Sequence, residues 1–233
     1  MNQLSLRVSL DRAEQKLIGQ VQILGSMVEG SLQAAMHALL QRDFIAARRI
    51  YAADQRINER RYAIEQDCIT LIATQQPMAR DARFLAAILE IITELERIGD
   101  YAKGICKINL LMGEDPIDPR IMLNLQKMAE LGLDMLHRAL GAFANRDAVS
   151  AHAISSEDDA VDFLYNQVYH NILGQAMLQP PGINNGNHLL WVSHNLERMA
   201  DRVINICERI VYVTTGEMKE LDSTEGIGPM KSG

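Results

Sequence analysis

The residues best placed to do chemistry in this chain occur twice. Leu95-Glu96-Arg97-Ile98-Gly99-Asp100 returns 101 positions later as Leu196-Glu197-Arg198-Met199-Ala200-Asp201, and five residues past each Asp follow Ile105-Cys106 and Ile206-Cys207. On a helix, Glu-x-x-x-Asp stacks two carboxylates one turn apart on a single face. Two anions held that close repel each other unless something positive stands between them, so the pattern points to metal or ligand binding.

A second, matching set precedes each copy. Asp54 and Asn58 lie four residues apart, eleven residues past Asp43; Asp158 and Asp162 repeat the spacing eleven residues past Asp147. Each half thus offers four oxygen-bearing side chains: Asp54, Asn58, Glu96 and Asp100 in the first, and Asp158, Asp162, Glu197 and Asp201 in the second. If the helices bearing them run antiparallel, Asp54 and Glu96 both lie about 20 residues from the turn at 74–77 and face each other at similar height. Four oxygen donors converging from two helices suit a hard cation, Mg, Mn or Fe, whereas a structural Zn site more often uses Cys or His. Because Asn58 stands where the second half has Asp162, the first set is one charge weaker, and the site at Glu197 and Asp201 is expected to bind more tightly.

The competing reading is that such acids form solvated faces or pair with Arg97, Arg198, Arg83 or Lys103. Matched repetition in both halves favours binding. A di-iron bundle would carry Glu-x-x-His on two helices, but Gly99 and Ala200 occupy the His positions. His194 is matched by Thr93 in the first half and reads as a local packing or hydrogen-bonding residue; His137 reads as a surface or core-edge residue. No Gly-rich phosphate loop and no nucleophile elbow is present, so the chain reads as a non-enzyme. A carboxylate-bridged metal-dependent enzyme or metal-storage bundle is the alternative, and a purely structural interaction module a third reading.

The elements that must position these residues are helices. Of 233 residues, 48% are hydrophobic but only 5% aromatic, and Gly and Pro fall in short clusters, a composition of helical bundles rather than sandwiches. Apolar residues recur every three or four positions from Leu17 to Leu39. Six long antiparallel helices are predicted, over about 11–41, 44–73, 77–112, 120–144, 148–177 and 188–214, with Asp43 as N-cap of the second and Pro77 in the first turn of the third. Helices of about 25 to 35 residues are roughly 40 to 50 Å long. The fold class is therefore all-α, two repeat-related three-helix bundles: a 1–10 extension, a first bundle at 11–112, a linker at 113–119, a second bundle at 120–215 and a flexible tail at 216–233.

A net charge of −7 without a basic block argues against nucleic-acid binding. No run approaches the roughly 20 apolar residues of a membrane span, so a soluble protein is expected, with its three Cys reduced and Cys106 and Cys207 in the core. The twelve Met read as core filler.

The doubled motif, the segment Gln76-Pro77-Met78-Ala79-Arg80-Asp81-Ala82-Arg83-Phe84 leading into its first copy, and the tandem layout resemble the PhoU family over about residues 11–215. The resemblance implies a pair of three-helix bundles, usually a homodimer, whose Glu-x-x-x-Asp motifs hold a divalent or ferric ion (Mg, Mn, Fe or Zn). It implies a cytoplasmic regulator, peripheral at the inner membrane through its partners. Those partners are the phosphate ABC transporter ATPase and the phosphate-regulon sensor kinase, which it links so as to repress the starvation response when phosphate is plentiful. By position the motif falls on Glu96 and Asp100, and on Glu197 and Asp201.

Overall fold

The computed structural model describes residues 3–112, 118–178 and 183–221, and all regular structure among them is α-helical. The six expected helices are present, but the second and the fifth are each broken once, giving eight segments: α1 (Gln3–Leu40), α2 (Phe44–Ala53), α3 (Gln55–Gln75), α4 (Arg80–Met112), α5 (Pro119–Asn145), α6 (Ala148–Ser155), α7 (Asp158–Leu178) and α8 (Ile183–Thr215). The breaks fall at the acids. Asp54 is the junction of α2 and α3, and Asp158 opens α7 just past Ser156 and Glu157. At the second break the Ser155 and Ser156 hydroxyls donate to the carbonyls of His152 (2.9 Å) and Ala153 (2.8 Å), a local bond that competes with the helix ladder and bends it.

The turns between first and second helices are built alike in both halves. Arg42 and Arg146 adopt left-handed conformations, φ 54° and 53°, which end α1 and α5 as a C′ residue does. Asp43 Oδ1 then accepts from the amides of Ile45 (3.0 Å) and Ala46 (2.9 Å), and Asp147 Oδ1 from those of Val149 and Ser150. These are N-caps satisfying otherwise orphaned donors. Asp43→Ala is expected to cost about 1 kcal/mol, read as a lower urea midpoint.

Several boundaries differ from the sequence expectation. The 1–10 extension is mostly helix, since α1 begins at Gln3 and nothing between Gln3 and Asp11 breaks it. The third helix begins at Arg80 rather than at Pro77, because Gln76 and Ala79 turn into positive φ (46° and 42°). Of the loop expected at 180–187, residues 183–187 are the start of α8, and 180–182 lie outside the described residues. Of the linker, 113–117 lie outside the described residues, while Asp118 caps α5 and Pro119 opens it. Of the tail, Gly216–Leu221 fold back on α8, where Leu221 is buried and its amide donates to Glu208 Oε1 at 3.0 Å; residues 222–233 lie outside the described residues.

The two three-helix bundles lie side by side and share a core. α4 packs most extensively on α8, α1 packs on α4 and α5 on α8, and α1 meets α5 directly; α2–α3 and α6–α7 cover the two flanks. One contiguous apolar cluster runs from Leu17 in α1 to Val213 in α8. Phe84 of α4 stacks on Phe143 of α5, ring centroids 6.0 Å apart, and the Arg146 guanidinium lies over Phe84 while bonding Glu14 of α1 at 2.7 Å. Cys68, Cys106 and Cys207 are buried, and burial pushes all three thiols up to about 12, so they stay neutral core groups.

Candidate metal centre

Each carboxylate wall forms where a break in the outer helix meets the middle of α4 or α8. In the first half, Gly99 lets α3 come close: a Cβ there would stand 3.2 Å from Ile57 Cδ1 and 3.7 Å from Asp54 Oδ1. Asp54, 3% exposed, is thereby set against Glu96 and Asp100. The Glu96 carboxyl is raised above its ordinary range by burial and then by the charges of Asp100 and Asp54; Asp100 is raised by burial and then by Asp54. Three of the four predicted residues thus converge. Asn58 reaches Asp54 Oδ2 only through a long Nδ2 contact of 3.4 Å.

One further residue enters this wall. Lys103, one turn beyond Asp100, donates from Nζ to Asp54 Oδ2 at 2.8 Å, lies 3.7 Å from Asp100 Oδ1 and stands over the Tyr51 ring. Its pKa is raised, chiefly by the hydrogen bond to Asp54, so it is an ammonium. Of the sequence-adjacent cations weighed against metal binding, Lys103 is the one that pairs here, while Arg97 turns to Glu94 at 2.7 Å and Arg198 to Asp201 at 3.3 Å.

The second wall brings together all four of its predicted residues. Asp158 is 7% exposed and its Oδ1 has no hydrogen-bond partner. Burial first, then the charges of Asp162, Asp201, Glu197 and Asp159, push its carboxyl up to about 7. Glu197 is raised by burial and then by Asp201. His194 Nδ1 lies 3.3 Å from Glu197 Oε2, within ion-pairing distance but not aligned as a hydrogen bond, and its ring meets Trp191 edge-on at 6.2 Å, the local packing read from the sequence. Position 204, which matches Lys103 in the repeat, is Ile204.

Among the described residues, no three His, Cys, Asp or Glu side chains are arranged as a coordination shell. The donor chemistry at the second wall nevertheless fits a hard cation, because a buried carboxylate with an unsatisfied oxygen among three other acids calls for a proton or a metal. Asp158, Asp162, Glu197 and Asp201 would hold it.

Glu94 is the functional-looking acid that motif reasoning missed. Nearly buried, its Oε2 accepts from Arg202 (3.3 Å) and Asn205 (3.2 Å) across the α4–α8 seam. Its match in the second half is Asn195, which approaches Gly104, so a search for acids present in both copies passes over it.

Fold and site define a class: a tandem helical repeat, dense in carboxylates, whose halves are fused along one seam. The PhoU domain matches the chain twice, at residues 21–108 and 125–210. A phosphate-specific transport system accessory protein PhoU homolog of Streptococcus pneumoniae is 37% identical over 215 residues, 92% of this chain and 97% of that one. The phosphate-specific transport system accessory protein PhoU of Escherichia coli is 34% identical over 198 residues, 85% of this chain and 82% of that one. The crystal structure of the phosphate transport system regulatory protein PhoU from Streptococcus pneumoniae superposes with a TM-score of 0.81 at 34% identity, covering 92% of this chain and 99% of that one. The chain belongs to the PhoU family.

Proposed function

We propose that this protein is a non-enzymatic, metal-binding adaptor of phosphate uptake. It works at the cytoplasmic face of the membrane, between the phosphate ABC transporter ATPase and the phosphate-regulon sensor kinase, and represses starvation signalling when phosphate is plentiful. The match over 92% of this chain to accessory and regulatory proteins of phosphate transport supports the pathway. No helix of the described residues is long and apolar enough to cross a membrane, which fits a role exercised through protein partners.

The single observation that carries the metal-binding element is Asp158, buried among Asp162, Glu197 and Asp201 with an unpartnered oxygen. Bound metal would supply the positive charge that lets these acids ionise together, and this wall would then act as a structural staple between α7 and α8. Deleting the gene is expected to leave phosphate-starvation output switched on at high phosphate, measured with a reporter of that response; output that still shuts off at high phosphate would overturn the regulatory reading.

A further inference from the structure

The two copies of the motif differ in what meets their buried acids. We infer that the first carboxylate wall is a closed internal ion pair in which the Lys103 ammonium takes the place of a metal, and that the metal of this chain is held at the second wall alone. This inference rests on the metal-binding reading above and divides that function between the halves.

The geometry differs where it matters. Asp54 and Asp158 occupy the same place in the repeat, each buried at the break of an outer helix. Asp54 Oδ2 is taken by Lys103 Nζ at 2.8 Å and is also approached by Asn58 Nδ2. Asp158 Oδ1 is taken by nothing. The first wall contains three carboxylates and an ammonium; the second contains four carboxylates, and the position of the ammonium is filled by Ile204, 6% exposed and uncharged. Arg198 is half-exposed, pairs with Asp201 at 3.3 Å and acts more weakly on Glu197, its main hydrogen bond going to Tyr101.

A cation entering the first wall must displace a partly exposed ammonium that is already hydrogen-bonded to Asp54, and must then share Asp54 with it at close range. Like charges at such distances in a partly buried setting repel strongly. At the second wall the same cation meets no competing charge on Asp158 and relieves the repulsion among four acids. Lys103 thus keeps the Asp54 junction fastened to α4 whatever the metal supply, whereas the Asp158 junction is fastened to α8 only when metal is bound. One half is permanently braced and the other responds to metal.

The test uses the full-length protein, stripped with chelator, reloaded with Mn(II) alone and analysed for bound metal by mass spectrometry of the element after desalting, with far-UV circular dichroism to verify folding. Wild type is expected to retain Mn(II), Asp158→Asn with Glu197→Gln to lose it, and Asp54→Asn to retain the wild-type amount. Lys103→Met is expected to raise bound Mn(II) about two-fold by opening the first wall to a hard cation. Lys103→Gln, which keeps a donor toward Asp54 without the charge, is expected to do the same, and Lys103→Arg to leave the content unchanged. Metal lost on Asp54→Asn, or unchanged content in both neutral Lys103 variants, overturns the division of labour while metal binding itself stands. Wild-type protein that retains no Mn(II) overturns the metal-binding reading beneath it.

Discussion

Phe84→Ala is expected to lower stability by about 3 to 5 kcal/mol, the usual cost of emptying a fully buried aromatic site. It is also expected to do so for both halves at once. Phe84 belongs to the first half by sequence, but its ring stacks on Phe143 of the second and lies beneath the Arg146 guanidinium that ties α1 to the α5–α6 turn. The residues around it cannot collapse into the space without shifting α4, α5 and the turn together. Urea unfolding followed by far-UV circular dichroism reports the whole helical content, and fluorescence of Trp191, the chain's one tryptophan, reports α8 in the second half. Both probes are expected to shift to the same lower midpoint. A Trp191 transition left at the wild-type midpoint would show that the halves unfold independently and that the shared core does not couple them.

The second large effect concerns charge. In metal-free protein, Asp158→Asn is expected to stabilise the fold at pH 8 by about 2 to 4 kcal/mol. Burial and the surrounding acids raise the folded-state carboxyl from 3.8 to about 7, so the native state binds this proton more tightly than the unfolded chain does. The sign follows: below about pH 4 both states are protonated and Asp158 carries no penalty, between pH 4 and 7 the penalty grows, and above pH 7 it is complete. Asn resembles the neutral acid at every pH, so the gain should shrink toward zero as pH falls to about 4. Urea midpoints of wild type and variant in chelator at pH 8 and pH 4.5 give the comparison. A variant no more stable than wild type at pH 8 would mean that Asp158 is solvated or already paired. Saturating metal should reverse the order, because wild type gains binding free energy on its folded state that the variant forfeits.

Much of this was legible in the residues themselves. The spacing of Leu17, Val21, Leu24, Val28 and Leu32 marks the buried face of α1, and all five are buried. Asp43 and Asp147 announce the starts of α2 and α6 because capping is a contact between neighbours in sequence. The acids of the two walls were found by matching the halves: seven of the eight named positions carry carboxylates, and Asn58 is the exception. The breaks at Asp54 and Asp158 were not legible: neither contains Gly or Pro, and the apolar period runs through them. Nor was the start of α8, where Asn184 to Asn187 resemble a loop but lie within the helix.

What the sequence by itself determined is therefore what local periodicity and repetition control: an all-helical chain, two related halves, their caps, and the oxygen donors each half places on its helices. What only the tertiary structure decided depends on approaches between residues far apart in the chain. It set α4 against α8 and merged the two cores into one. It also gave Lys103 to Asp54, 49 positions away, and left the equivalent Asp158 facing acids. Spacing along a helix fixes which side a charge stands on, but whether that charge meets a partner is settled by how closely two helices pack, and at this site Gly99 and Lys103 settled it for the first half only.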